Sequence, residues 1–473
     1  MLLRRRWPMR RSPHPYIPNS AEATRRVLLQ ELGIEDVEDL YVDIPQEVRL
    51  KRRLNLPERT PEIQVKRRIV KMLSENVSCD EMPTFLGGGC WPHYVPAAVK
   101  YVVQRTEFLT PYTPYQPEIS QGILQALFEY QSMICELTGM EVANSSMYDW
   151  STSAGEAARM AVRCTKRSEV LVPETMSPQR YEVMKTYTEP SGISLKKVGY
   201  DPVTGQLDID DLESKLTSET AAVYIENPSY LGFIETQVDE ISQLTHSKGA
   251  LLIVGVDPTS LGVLKPPGDY GADIVVGEGQ PLGNPMNFGG PLLGIFACRG
   301  ERNLIRQMPG RIIGMTKTQK GDRRAFCMAL QTREQHIRRE RATSNICTNN
   351  ALCAVAAAVY LALLGPKGLE DLGKTILERS HYAMRLLSKI DGIKSPLFKS
   401  PHFKEFTVNL ELSNIGIVEL HRRLLKRGIQ GGKTLTDEFP ALGETALYCV
   451  TEMHEKEDIE LLANTIKRIL EEE

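Results

Sequence analysis

The residues of this chain best placed to do chemistry stand at the ends of short apolar runs. Ala221-Ala-Val-Tyr-Ile225 closes on Glu226-Asn227-Pro228, and Ala250-Leu-Leu-Ile-Val254 leads to Asp257-Pro258. Ala272-Asp-Ile-Val-Val276 breaks into Gly277-Glu-Gly-Gln-Pro-Leu-Gly283. Brief β-branched runs with polar or glycine ends, separated by a helix-length segment, read as strands of a buried parallel sheet. Ligands of open α/β sheets sit at the carboxyl ends of the strands. Asn227, Asp257 and the Gly277–Gly283 loop are therefore expected together at one edge.

Four further segments carry reactive or binding residue types. Phe85-Leu-Gly-Gly-Gly-Cys-Trp-Pro-His93-Tyr94 combines three glycines, which let backbone approach a ligand, with rings that have polar tips. Thr110-Pro-Tyr112-Thr-Pro-Tyr115-Gln-Pro-Glu118 is stiffened by proline and holds two tyrosines and a carboxylate at fixed points. The same stretch reads equally well as a rigid loop wrapping a neighbour. Asp149-Trp-Ser-Thr-Ser-Ala-Gly155-Glu156 is a small-residue turn entering a helix, able to offer N–H groups to an anion, although many ordinary helices begin this way. Gln331-Thr-Arg333 through Arg341-Ala-Thr343-Ser-Asn345 is rich in Arg and His, as a phosphate or carboxylate clamp would be. A solvated helix of alternating charge is the plainer reading.

These segments need elements to position them. Ile123 to Gly139 has helical periodicity, with Leu127, Tyr130, Ile134 and Leu137 on one side. Val170-Leu-Val172 and Ser194 to Val198 read as further strands. Ala351 to Gly365 reads as a buried helix too short to span a bilayer. Glu405 to Leu410 and Leu447 to Val450 read as strands, each followed by an amphipathic helix, Ile415 to Arg427 and Lys456 to Leu470. Before all of these, Asn19-Ser-Ala-Glu22 looks like a helix N-cap. Its helix would carry Val27, Leu28 and Leu32 and stop at Gly33, ahead of a basic, proline-marked linker from Ile44 to Pro57.

Bulk properties narrow the function. The 473 residues suffice for two or three domains, and a formal charge of −3 gives no general basic character to attract nucleic acid. Nine cysteines, an odd number without a Cys-x-x-Cys pair, suit reduced thiols in a cytoplasmic protein, and no metal site is suggested. The basic N-terminus around Trp7 and Met9 lacks the apolar stretch of a signal peptide and reads as a disordered tail.

Taken together, Leu86-Gly-Gly-Gly with His93, Thr110-Pro-Tyr-Thr-Pro-Tyr-Gln-Pro-Glu-Ile-Ser-Gln-Gly122, Leu261-Gly-Val-Leu-Lys-Pro-Pro-Gly268, Gly271-Ala-Asp-Ile with Gly289-Gly-Pro291, and Thr332-Arg-Glu-Gln-His-Ile-Arg-Arg339 through Thr348 resemble the glycine cleavage system P-protein family. Within it, the chain is similar to the first of the two homologous chains of the split form. The resemblance implies an α/β fold of the aspartate-aminotransferase-like kind (pyridoxal-phosphate transferase fold type I). The expected division is an arm and linker over 1–75, a large domain with a mainly parallel sheet over 76–340, and a C-terminal α+β small domain over 341–473.

The resemblance also implies an activity, glycine decarboxylation with transfer of the aminomethyl group to the lipoyl arm of the H-protein, and a cofactor, pyridoxal phosphate. In such folds an Asp ending a strand pairs with the pyridine nitrogen, and Asp257 has that place. The next strand is followed by the Schiff-base lysine, where this chain has Pro281, so no catalytic residue is expected here. The lysine and the cofactor are expected on subunit 2, in an α2β2 assembly.

Ala342-Thr343-Ser344-Asn345-Ile346 resembles a loop that reaches the partner's cofactor phosphate, which makes Thr343 and Asn345 the expected cofactor-binding residues. His93, Tyr112 and Tyr115 are the expected walls of a shared glycine site. Two alternatives accompany this reading: a non-catalytic scaffold that stabilises subunit 2, and a self-contained enzyme using another lysine such as Lys265.

Overall fold

The computed structural model describes Pro13 and residues 16–472, apart from Arg53, Tyr112, Cys347, Thr348, Glu411 and Leu412. The basic tail and Tyr112 therefore lie outside the described residues. The chain divides into two compact units, residues 1–76 and 77–473.

In the first unit, helix Glu22–Leu32 ends where Gly33 takes a φ of 69°, as its position after the last apolar residue predicts. Its start differs from expectation. Ala21 occupies the N-cap and no side chain caps the helix, so neither Asn19 nor Ser20 does so. The second helix, Glu62–Leu73, is amphipathic, and no residue of either helix is buried. Between them, Asp36 and Asp39 form a reciprocal cap on a short turn, Val37–Tyr41.

The second unit is built on a seven-stranded sheet. Its strands are β1 (Val142–Ala143), β2 (Glu169–Pro173), β3 (Ser194–Val198), β4 (Thr220–Glu226), β5 (Leu251–Val256), β6 (Ile274–Glu278) and β7 (Gly294–Cys298). Their order is β1-β7-β6-β5-β4-β2-β3, with β7 antiparallel to both neighbours and the run from β6 to β3 parallel.

Successive side chains of a strand face opposite ways, and both faces here are covered. On β4 and β5, Val223, Ile225, Leu252 and Val254 enter one core with Leu124, Leu127 and Ile134 of helix Gln121–Thr138. Ala222, Tyr224 and Ile253 enter the other, with Ala154, Ala157 and Ala161 of helix Trp150–Thr165. Burial on both faces explains why these strands read as continuous apolar runs rather than alternating ones.

A hairpin of β8 (Ile312–Lys317) and β9 (Arg324–Ala329) follows, then a three-stranded antiparallel sheet. That sheet consists of β10 (Glu405–Asn409), β11 (Lys433–Thr434) and β12 (Thr445–Cys449), with β12 central. Helices Ile417–Lys426 and Lys456–Glu471 pack on it through Leu420, Leu424, Ile459, Leu462 and Ile466. The glycine-rich segment joins this sheet as well, since Phe85 N–H donates to Gln430 O and Cys449 N–H to Phe85 O, both at 2.9 Å.

The helix that begins at Ala351 breaks at Gly365 (φ 62°), where it was expected to end, and a second part opened by Pro366 runs on to Leu387. By length and composition this element could cross a membrane, but half of its most apolar stretch is buried, with Ala354, Val355 and Ala357 in the sheet core.

The turn after β4 rests directly on the start of β10. Gly232 has a φ of 93°, and a Cβ there would lie 2.1 Å from Glu405 O. Gly232→Ala is expected to lower stability by about 2–4 kcal/mol, combining a disfavoured φ with a backbone clash. Urea unfolding with an unchanged midpoint would show that this contact carries no weight.

Candidate functional site

The parallel strands deliver Asn227, Asp257 and the loop after β6 to one edge, as expected. There the chain's own charges meet. Asp257 follows β5, and its Oδ1 accepts from Thr259 N at 3.1 Å and Thr259 Oγ1 at 2.9 Å, which caps the next turn. Its Oδ2 lies 2.7 Å from Nζ of Lys404, the residue preceding β10. The Lys404 ammonium is 3.6 Å from the centre of the Trp91 ring and 3.1 Å from Nε2 of His93. The other ring nitrogen of His93 is 2.8 Å from Glu452 Oε2. Burial alone would raise the Glu452 carboxyl, but the contact with His93 outweighs it and holds the group below the ordinary range.

This chain links four segments, and almost none of it reaches solvent. Lys404 is 2 % exposed and Asp257 4 %. Isolated charges at such depth would cost several kcal/mol each, so each is kept only by its partner.

A second buried pair lies beside the first. Arg180 grips Glu226 at the end of β4 with two bonds of 2.6 and 2.8 Å. Its guanidinium stacks 3.9 Å from the Trp150 ring centre. Burial would discharge Arg180, but Glu226 overcomes this and keeps its pKa above the ordinary value. Trp150 Nε1 donates to Tyr224 Oη at 3.0 Å, and Tyr224 Oη donates to Glu226 Oε1 at 2.9 Å.

The N-terminus of helix Trp150–Thr165 is already supplied with acceptors. Asp149 Oδ1 accepts from Thr152 N at 2.8 Å, and Glu278 Oε2 from Trp150 N at 3.2 Å. Burial pushes Glu278 up to about 8, against the pull of the Leu293, Gln280 and Trp150 amides. The small residues that read as an anion cradle serve close packing instead. Gly155 gives way to Tyr187, and Gly255 of β5 to the Trp150 ring.

Pyridoxal phosphate can be tested against this arrangement. The group needs an amine for its aldehyde, a carboxylate for its ring nitrogen and N–H donors for its phosphate. The carboxylate of Asp257 is held by Lys404, and the helix N-terminus is met by Glu278 and Asp149. The loop after β6 carries Pro281, and Gln280 there exchanges hydrogen bonds with the Trp91 backbone at 3.0 and 3.2 Å. The space open to water between Trp91, Trp150, Arg180, Asp257 and Lys404 is about 10 Å³, room for a single water. The cofactor does not fit here. Lys265 stands apart, half exposed and 3.7 Å from Asp239.

The remaining expected residues fall into separate places. His93 is a correction: its side chain is enclosed within this chain between Lys404 and Glu452, so it is a buried link rather than an open wall of a glycine site. The three glycines before it do approach a ligand closely, but the ligand is the chain's own Glu405, whose Oε1 accepts from Gly88 N at 2.6 Å. Tyr115 lies elsewhere. Its hydroxyl accepts from Arg311 Nη2 at 3.1 Å, and its ring meets His336 edge-on at 5.3 Å.

The basic segment forms short turns, not a solvated helix. Arg333 is spent on backbone, donating to Met308 O and, at 3.1 Å, to Gly310 O, and burial lowers it to about 10. Arg338, Arg339 and Arg341 are exposed. Thr343 and Asn345 sit on the loop that follows, and neither side chain makes a hydrogen bond among the described residues.

Lys404, Arg180 and Glu452 were not anticipated, and Glu226 and Glu278, inside the strand-end segments singled out from the sequence, were given no role there. Each is a charged residue next to a strand end or on a helix, and only the tertiary contacts bury it.

The family model of the glycine cleavage system P-protein matches residues 14–466. The chain belongs to that family. It is 49% identical over 466 residues to a probable glycine dehydrogenase (decarboxylating) subunit 1 of Staphylothermus marinus, covering 97% of this chain and 99% of that one. The corresponding protein of Thermococcus kodakarensis is 50% identical over 457 residues, covering 97% and 98%. Among solved structures, an inhibitor-bound glycine decarboxylase (P-protein) superposes with a TM-score of 0.86 at 40% identity, covering 97% of this chain and 100% of that one. A sphingosine-1-phosphate lyase of Burkholderia pseudomallei, at 15% identity and a TM-score of 0.64 over 90% and 94% of the two chains, shares the fold. The P-protein chain therefore has the fold-type-I architecture that its sequence implied.

Removing one member of the Asp257–Lys404 pair leaves the other charged and buried. Lys404→Met is expected to cost about 3–5 kcal/mol of stability, and adding Asp257→Asn should return most of it. Thermal unfolding of the single and double variants measures this. A double variant as unstable as Lys404→Met would show that the pair is not the link described.

Proposed function

We propose that this chain is subunit 1 of glycine dehydrogenase (decarboxylating), the P-protein of the glycine cleavage system. On this reading it lacks the Schiff-base lysine and holds no cofactor of its own, and works in the cytoplasm with subunit 2 as an α2β2 assembly. Subunit 2 carries pyridoxal phosphate, which supplies the electron sink for decarboxylation. The aminomethyl group then passes to the lipoyl arm of the H-protein. Near-complete coverage of the relatives named subunit 1 supports the activity and the need for a second subunit.

The observation that carries the division of labour is the Lys404–Asp257 pair, 2.7 Å long and buried. A chain that closes its own pocket with an internal cation contributes to chemistry in a neighbour or not at all. The part available for such a contribution is the loop at Thr343. Its backbone is fixed, with Thr343 N–H donating to Arg333 O at 3.2 Å, while its hydroxyl makes no hydrogen bond among the described residues. On this reading Thr343, with the exposed Asn345, donates to the phosphate held by the partner, and Tyr115 borders the shared glycine site, the role also expected of Tyr112.

Two measurements test this. The isolated chain mixed with pyridoxal phosphate should give no borohydride-trapped adduct on any lysine, and a stable adduct would overturn the assignment. In the co-expressed complex, Thr343→Ala should raise the dissociation constant of pyridoxal phosphate about tenfold or more, as loss of a hydrogen bond to a charged group does. Unchanged affinity would remove Thr343 from the site.

A further inference from the structure

Helix Trp150–Thr165 carries one buried carboxylate that the arrangement above does not use. Glu156 is 3 % exposed. Its Oε1 accepts from Ser344 Oγ at 2.5 Å, and its Oε2 has no hydrogen-bond partner among the described residues. The arginines nearest it on the helix are engaged elsewhere. Arg163 donates to Gln307 Oε1 at 3.0 Å and to Gln307 O at 2.9 Å, and Arg159 to Tyr187 O at 3.1 Å. The charges of Arg163 and Arg159 still favour the carboxylate, but Ser344 is its one hydrogen-bond donor among the described residues.

The bond holds the middle of the Thr343 loop. Ser344 Oγ also accepts from Ile346 N at 3.1 Å, and Ile346 is buried in the core beside the helix. On the N-terminal side Thr343 N–H is fixed to Arg333 O at 3.2 Å. On the C-terminal side Asn349 Nδ2 donates to Ser146 O at 3.0 Å, and Asn350 Nδ2 to Tyr148 O at 2.9 Å. Ser344 and Ile346 thus tie the loop to the chain, and the side chains of the residues between and before them, Asn345 and Thr343, make no hydrogen bond among the described residues.

We propose that Glu156 is a positioning residue that acts through Ser344 to hold the Thr343 hydroxyl ready for the partner subunit's cofactor phosphate. This rests on the reading of Thr343 above. Glu156 touches no reacting atom, so its effect should appear in cofactor affinity and should vanish when Thr343 has no hydroxyl.

The test is a mutant cycle on the co-expressed complex, with pyridoxal phosphate affinity read by absorbance titration and assembly checked by gel filtration. Ser344→Ala and Glu156→Ala are each expected to raise the dissociation constant about five- to tenfold. Ser344→Thr and Glu156→Gln, which keep the donor and the acceptor, should stay within about twofold of the parent. Thr343→Ala with Ser344→Ala should bind no more weakly than Thr343→Ala alone. If Thr343→Ala changes affinity and Ser344→Ala does not, or if the two effects multiply, the positioning role is overturned while the reading of Thr343 stands. If Thr343→Ala has no effect, both fall. A lowered melting temperature of the Ser344→Ala complex with unchanged affinity would make the bond structural and overturn the proposal.

Discussion

The buried ion pair between Asp257 and Lys404 is the constraint around which this molecule is organised. One partner ends the central strand of the large sheet, and the other precedes the first strand of the small sheet. Neither charge is stable at that depth alone, so the two sheets are held together at the edge where a fold of this kind binds its ligand. Trp91 and His93 complete the enclosure. They sit against the same ammonium, and Glu452 holds the far side of the imidazole.

Viewed as chemistry, the pocket has been filled by groups that mimic what a charged cofactor presents. Lys404 supplies a cation to Asp257. Glu278 and Asp149 supply carboxyl oxygens to the amides of a helix N-terminus, where a phosphate would gain from the same amides and the helix dipole. The flat guanidinium of Arg180 lies on Trp150 as an aromatic ring would. Each replacement preserves the electrostatic balance that the fold requires, so the sheet edge stays polar and buried without a bound molecule.

The consequence is a separation of tasks within one polypeptide. The strand ends, normally the reactive edge, have become the rigid part. In the proposed assignment the reach toward another subunit falls to a loop after the basic segment. That loop is held by Arg333, Ser344 and the Asn349–Asn350 pair, while the side chains of Thr343 and Asn345 make no hydrogen bond among the described residues. Rigidity behind and availability in front are what a residue serving a neighbour's site requires.

Much of this frame is determined by local sequence. Apolar runs buried on both faces announce β2, β4, β5 and β6, and Gly33 and Gly139 end their helices because each takes a positive φ that glycine tolerates. Pro281, lacking an amine, states that the loop after β6 forms no imine. Other features carry no local signal. β7 and the β8–β9 hairpin have little to separate them from the turns around them. The least legible residues were the charged ones. Lys404, Arg180 and Glu226 look like surface residues in sequence because their burial depends on ion-pair partners more than forty positions away. A charge becomes an interior residue only when folding delivers its counter-ion or its donors, and that is decided by tertiary structure alone.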